Sequence, residues 1–110
     1  MRPWIRIPSR RCALFSPPAG ARVAVPPLLA WTPVPSATYY DIQPFADARV
    51  LSAWPTQPRL RLEWSWVYAS RRYRLTPGRY RWYVWPGLEP RSAGHYGRLV
   101  GGSSFVVTGP

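Results

Sequence analysis

Proline limits the folds open to this chain more than any other residue. The chain of 110 residues contains 15 prolines, spread over almost its whole length. Proline lacks an amide hydrogen and its ring clashes with the preceding helical turn, so a long helix has few places to form. The apolar runs between the prolines are short, rich in Val, Trp, Tyr and Leu, and mostly spaced by roughly 8–12 residues. The pattern predicts an all-β fold, an antiparallel sandwich or barrel.

The chain is long enough for one domain, since a second is expected only above about 150 residues. Residues 1–13 are basic and contain prolines, so we interpret them as a leader or linker; residues 14–108 form the predicted domain. No apolar run reaches the roughly 18 residues of a membrane-spanning helix. Arg6, Arg10 and Arg11 interrupt the apolar stretch that a signal peptide requires, so no export signal is readable.

Alternation of period two is clearest in RYRWYVW (79–85) and RLRL (59–62). In a strand, successive side chains point to opposite faces, so the first run predicts an inner face and an outer face. The inner face would carry Tyr80, Trp82 and Val84. The outer face would carry Arg79, Arg81, Tyr83 and Trp85. In the second run, leucines oppose Arg59 and Arg61.

Other short segments give further local predictions. Residues 45–48 indicate a hairpin turn before the apolar run RVLSAW (49–54), and residues 64–70 allow at most one helical turn. Pro44 falls within a predicted strand, which implies a bulge or an edge strand there. Gly101 and Gly102 indicate a loop that enters the last strand.

Four segments share their order and spacing with one family: LAWTPV (29–34), ATYYDIQ (37–43), LTPGRYRWYVW (75–85) and SFVV (104–107). In this order they resemble a bacterial fibronectin type III domain, and the resemblance covers about residues 14–108. The spacing from Leu75 to Tyr80 fits a tyrosine corner, in which the phenol forms a hydrogen bond with nearby backbone. This corner is one residue shorter than the usual animal-type spacing, so the match is to bacterial relatives.

The resemblance implies a seven-stranded antiparallel immunoglobulin-like sandwich. Trp31 and Trp82 would lie between its two sheets. Relatives are usually parts of extracellular or envelope proteins, where they space other domains or contact proteins and polysaccharides. No Arg-Gly-Asp motif occurs, so integrin-type adhesion does not carry over. The predicted structural core consists of Trp31, Tyr40, Ile42, Leu75, Tyr80, Trp82 and Val84.

Residues suited to catalysis are scarce. There is no lysine, one cysteine (Cys12) and one histidine (His95), and the four carboxylates are scattered over separate segments. No nucleophile and base, no metal-ligand cluster and no acid–base pair can be recognised. We therefore predict no enzymatic activity, no cofactor and no metal site. The carboxylates are Asp41, Asp47, Glu63 and Glu89.

Aromatic residues beyond the needs of the core suggest a contact surface for a protein or a glycan. The alternative is structural, because stacked arginine–aromatic pairs can simply cover the ends and the outer face of the sandwich. The candidate contact residues are Trp54, Trp66, Arg79, Arg81, Tyr83 and Trp85.

A net charge of +11, carried by arginine alone, admits a second interpretation. Basic grooves with interleaved aromatic rings bind single-stranded nucleic acids, and residues 71–81 with Trp66, Tyr73 and Tyr83 have this composition. No signature of a nucleic-acid-binding fold accompanies it, and arginine usage throughout is typical of a genome of high GC content. Weak, salt-sensitive binding to polyanions is expected in either case. The sequence favours a non-catalytic contact or spacer module, with a small nucleic-acid-binding protein as the alternative.

Overall fold

The computed structural model describes residues 14–88, 97 and 99–109. The predicted leader 1–13 with Cys12, and also His95 and Glu89, lie outside the described residues. The described chain is all-β: it contains nine strands and no helix. The strands are β1 (Phe15–Ser16), β2 (Ala21–Val23), β3 (Leu28–Trp31), β4 (Tyr39–Phe45), β5 (Arg59–Arg61), β6 (Ser65–Tyr68), β7 (Arg71–Arg74), β8 (Gly78–Gly87) and β9 (Gly101–Val107).

These strands form three sheets, with the orders β1-β3-β5, β2-β9-β8-β4 and β6-β7. All pairs are antiparallel except β2 and β9, which are parallel. The predicted purely antiparallel arrangement is therefore wrong at this pair. Pro17 and Pro18 follow β1 and have no amide hydrogen to continue its ladder. The chain leaves the first sheet there and joins the second as β2, beside β9.

The two larger sheets share one hydrophobic core. All seven residues predicted for the core are buried, and Trp82, Ile42 and Val84 are completely inaccessible to solvent. The ring of Trp82 in β8 lies 6.0 Å from that of Trp31 in β3 and 5.4 Å from that of Phe15 in β1. Rings from the two sheets therefore contact each other, as expected for Trp31 and Trp82.

Two buried tyrosines tie loops to the core through their hydroxyl groups. The backbone N–H of Thr76 donates to the Tyr80 hydroxyl at 3.1 Å, which is the hydrogen bond expected for the segment from Leu75 to Tyr80. The backbone N–H of Val34 donates to the Tyr40 hydroxyl at 2.9 Å. Each bond satisfies a loop amide that no strand neighbour reaches.

The helical turn that residues 64–70 allowed does not form, because this segment forms most of a β-hairpin. β6 pairs with β7 over four residue pairs, from Ser65 with Arg74 to Tyr68 with Arg71. The two connecting residues, Ala69 and Ser70, have φ values of 53° and 63°. Positive φ at both central residues is the type I′ geometry, whose twist matches that of the flanking strands.

The chain reverses at 45–48 as predicted, with an isolated bridge between Phe45 and Arg49. The following run 49–54 forms no strand, although it runs beside β4 with an isolated bridge between Ile42 and Ala53 and a hydrogen bond from the Val50 N–H to the Pro44 carbonyl. Pro44 lies in β4, an edge strand of the four-stranded sheet, in regular register with Trp82. The edge-strand alternative thus holds for Pro44, and no bulge forms. The prediction of a loop at Gly101 and Gly102 is wrong, since both residues belong to β9.

Candidate binding face of the four-stranded sheet

The alternation of β8 divides its side chains between the core and the outer face of the four-stranded sheet. Trp82 and Val84 are buried, whereas Arg79 and Arg81 are exposed and Tyr83 and Trp85 are half-buried. The predicted outer set therefore lies together along one strand. We call the outer surface of this sheet, around Arg79, Arg81, Tyr83 and Trp85, the outer face.

Neighbouring strands add residues that the sequence analysis missed. Phe45 of β4 is in register with Arg81, and Val106 of β9 is in register with Arg79. Arg22 of β2 is in turn opposite Val106, which puts it on the same side of the sheet as Arg79. These neighbours come from distant parts of the chain, so only the strand pairing reveals them.

Aromatic rings form a continuous row across the outer face. The ring centroids of Phe45 and Tyr83 are 5.7 Å apart in an edge-to-face arrangement, and those of Tyr83 and Trp85 are 6.5 Å apart. Tyr83 also covers Gly102 of β9: a Cβ atom at Gly102 would lie 2.6 Å from the Tyr83 ring and 2.9 Å from the Trp82 carbonyl oxygen. The absence of a side chain at Gly102 therefore allows the tyrosine ring to lie against the neighbouring strand.

A polar network occupies the β4 side of the outer face. Asp41 accepts a hydrogen bond from Gln43 Nε2 at 3.0 Å and another from Ser52 Oγ at 3.2 Å. Arg49 Nη1 donates to Gln43 Oε1 at 3.1 Å. Asp41 is only 9% exposed, so this carboxylate is engaged inside the protein. The exposed arginines Arg79 and Arg81 lie farther along β8, away from this carboxylate.

Trp54 extends the outer face beyond the edge of β4. Hydrogen bonds join Ile42 with Ala53 and the Tyr40 N–H with the Pro55 carbonyl, so the register puts Trp54 opposite Asp41. Trp85 is opposite Asp41 on its other side. Because the Ser52 side chain bonds Asp41, strand alternation places Trp54 on the same side. Trp54 is 36% exposed.

Trp66, the sixth candidate contact residue, lies elsewhere. Its indole Nε1–H donates to the Val50 carbonyl at 2.8 Å, and its ring stacks on Tyr73 at 6.0 Å with an interplanar angle of 9°. The guanidinium of Arg71 lies 5.4 Å from the centre of the Tyr73 ring. The residues of the nucleic-acid hypothesis are thus divided between two sheets: Arg71, Trp66 and Tyr73 in the hairpin, Arg79, Arg81 and Tyr83 in β8.

Within the described residues, no three His, Cys, Asp or Glu side chains are close enough to hold a metal ion. The same part of the chain has no helix of the length and hydropathy needed to cross a membrane. No family model, curated protein or solved structure matches this chain.

Proposed function

We propose that the chain is a non-catalytic contact or spacer module with a fibronectin type III-like fold, from a bacterial envelope or extracellular protein. Two observations support this fold assignment. The strand orders β1-β3-β5 and β4-β8-β9 correspond to the strands A, B, E and C, F, G of an immunoglobulin-like sandwich. The hydrogen bond from Thr76 to the Tyr80 hydroxyl corresponds to a tyrosine corner.

The chain departs from that pattern between β5 and β8. No described strand pairs with the free side of β5, where the immunoglobulin-like sandwich has strand D. The β6–β7 hairpin follows β5 instead. The fold we propose is therefore a variant of the sandwich with a hairpin inserted before its penultimate strand.

The outer face is the contact surface we propose, and polysaccharide is the ligand class that suits it best. The observation that carries this proposal is the combination of a row of aromatic rings with exposed arginines on one open sheet face. Aromatic rings offer a rigid, amphipathic surface for the apolar face of a sugar ring. Guanidinium groups donate several hydrogen bonds in a fixed plane and suit hydroxyl or carboxylate oxygens. A partner protein with complementary polar groups is the other ligand class.

The test measures binding of the purified chain to neutral and acidic polysaccharides at low and high salt. We expect binding to at least one neutral or acidic polysaccharide to persist at high salt and to be lost in Trp85→Ala. Trp64→Ala is the matched control, because Trp64 is 55% exposed and lies outside the outer face. Equal loss in both variants would contradict a site at the outer face. If no polysaccharide binds, the proposed roles that remain are contact with a partner protein and spacing of other domains.

The hairpin favours a second candidate function, binding to single-stranded nucleic acid. Arg71, Arg72 and Arg74 are exposed on β7, and Arg71 lies over the ring of Tyr73. For such a site, the logarithm of the affinity for single-stranded DNA falls linearly with the logarithm of the salt concentration. Arg72→Ala would then reduce the magnitude of this slope by about 1. An equal reduction in Arg81→Ala would indicate a general polyanion effect of the +11 charge rather than a hairpin site.

A further inference from the structure

Within the described residues, strand β5 leaves backbone groups along its outer edge without a strand partner. Its inner edge bonds β3: the Trp31 N–H donates to the Pro58 carbonyl and the Leu62 N–H to the Pro27 carbonyl, both at 3.1 Å. Backbone groups alternate in direction along a strand, so the N–H and C=O of Arg61 and the C=O of Arg59 point away from β3. In the part of the chain that the structure describes, no strand pairs with this side of β5.

An apolar cleft of about 210 Å³ lies next to this edge. It separates β5 from the segment that runs along β4, and its walls include half-buried apolar residues that pack against the core. A strand added to β5 would cover the cleft and direct every second side chain into it. The cleft is lined by Leu51, Ala53, Leu60, Arg61, Leu62, Glu63 and Trp66.

The charge around the edge selects the kind of strand that fits. Arg59 and Arg61 are exposed on both sides of Leu60, and neither forms an ion pair within the described residues. The Arg61 guanidinium makes only a long contact of 3.5 Å with the Pro26 carbonyl. A second copy of this chain would oppose these arginines with its own, and like charges directly opposite each other destabilise strand pairing. An acidic strand would gain ion pairs instead.

We propose that the β5 edge binds an extended acidic peptide segment of a partner protein as an added strand. The segment alternates apolar and acidic residues: the apolar side chains enter the cleft, and the acidic ones face Arg59 and Arg61. Backbone hydrogen bonds to Arg61 supply affinity, and the cleft and the two arginines supply specificity. This site lies on the three-stranded sheet and does not depend on ligand binding at the outer face.

The first test uses a labelled ten-residue peptide of alternating valine and glutamate, with fluorescence anisotropy on the full chain. In a strand, all valine amides point to one edge and all glutamate amides to the other. We expect N-methylation of one of these sets to weaken binding at least about tenfold, and N-methylation of the other set to leave it intact. Strand addition at the β5 edge is excluded if both N-methylated peptides bind as tightly as the parent peptide. It is also excluded if both N-methylated peptides fail to bind.

The second test changes the protein. Arg61→Pro removes the outward N–H without touching the β3–β5 ladder, and we expect at least about a tenfold loss of peptide affinity with little change in unfolding. Arg61→Glu covers the case in which Arg61→Pro fails to fold: it should weaken binding of the valine–glutamate peptide and strengthen that of a valine–lysine peptide. Arg72→Glu, an equal charge change on the hairpin, is the control and should weaken binding much less.

Three results would overturn the proposal. Equal weakening in Arg72→Glu and Arg61→Glu would show attraction to the net charge alone. Unchanged peptide binding in a folded Arg61→Pro variant would exclude the edge as the site. A dimer seen by sedimentation that Arg61→Pro dissociates would show that a second copy occupies the edge.

Discussion

The four-stranded sheet and the β6–β7 hairpin contain similar residue types but differ in strand pairing and burial. Both alternate arginine with aromatic residues, as in RYRWYVW (79–85) and RRYR (71–74). β8 pairs with β4 on one side and β9 on the other, and its inner aromatic residues are buried. Among the strands that the structure describes, β6 and β7 pair with each other alone, and no residue of either is fully buried. Alternation alone therefore does not bury the side chains of a strand; in β8, packing against the opposite sheet buries them.

The hairpin depends on a few contacts with the rest of the domain. An isolated two-stranded hairpin is at best marginally stable in water. Here the Trp66 indole bonds the Val50 carbonyl, and the Trp66 side chain packs against the core. We therefore expect the hairpin to open locally while the four-stranded sheet stays folded.

Removing the ring at the centre of the core should have the largest effect. Trp82→Ala leaves a cavity between Phe15 and Trp31, so we expect it to lower the free energy of unfolding by about 3–5 kcal/mol. Urea denaturation followed by far-UV circular dichroism measures this loss. Trp64→Ala, in the exposed segment before β6, should change stability by no more than about 0.5 kcal/mol. Similar losses in the two variants would refute the difference between core and hairpin.

A methyl group added to Gly87 should have the next largest effect. A Cβ atom there would overlap the ring of Tyr39, which lies across Gly87 from the neighbouring strand β4. We expect Gly87→Ala to destabilise the protein by about 1–3 kcal/mol through overpacking. The same substitution in a Tyr39→Ala background should cost much less, and a double-mutant cycle by denaturation measures the coupling. Independent effects of the two substitutions would contradict this packing.

Trp66→Phe tests the attachment of the hairpin. The variant keeps an aromatic ring on Tyr73 but removes the N–H that bonds the Val50 carbonyl, at a cost of about 1 kcal/mol. Amide hydrogen exchange should accelerate about fivefold in β6 and β7, with β8 unaffected. Acceleration throughout β8 would mean that the hairpin and the four-stranded sheet open as one unit.

The smallest effect should come from the hairpin turn, and it should be stabilising. Ala69 and Ser70 occupy positive φ, which costs most residues free energy but suits Asn and Gly. Ala69→Asn combined with Ser70→Gly should stabilise the hairpin by about 1 kcal/mol, and slow exchange of its amides by about fivefold. Unchanged exchange in β6 and β7 would argue against the type I′ turn.

The local sequence pattern predicted which side chains are buried better than it predicted the turns and the pairing of strands. The alternation 79–85 identified both faces of β8, and each of Tyr80, Trp82 and Val84 is buried. The hairpin at 65–74 was missed because its turn, Ala-Ser, lacks the Asn or Gly that usually signals type I′ geometry. In the candidate site, the β8 residues were predictable, whereas Phe45 and Arg22 were not, because strand pairing joins them from remote positions.

The sequence by itself determined the all-β class, the buried face of β8 and the excess of positive charge, since proline content, period-two alternation and arginine count are local properties. The tertiary structure alone decided which strands are neighbours. It pairs β2 with β9, divides the arginine-rich segments between two sheets and leaves the outer edge of β5 without a partner among the described strands. Strand pairing joins residues far apart in the chain, and any one strand's pattern is compatible with several neighbours. Packing of the two larger sheets around Trp31 and Trp82 selects among them.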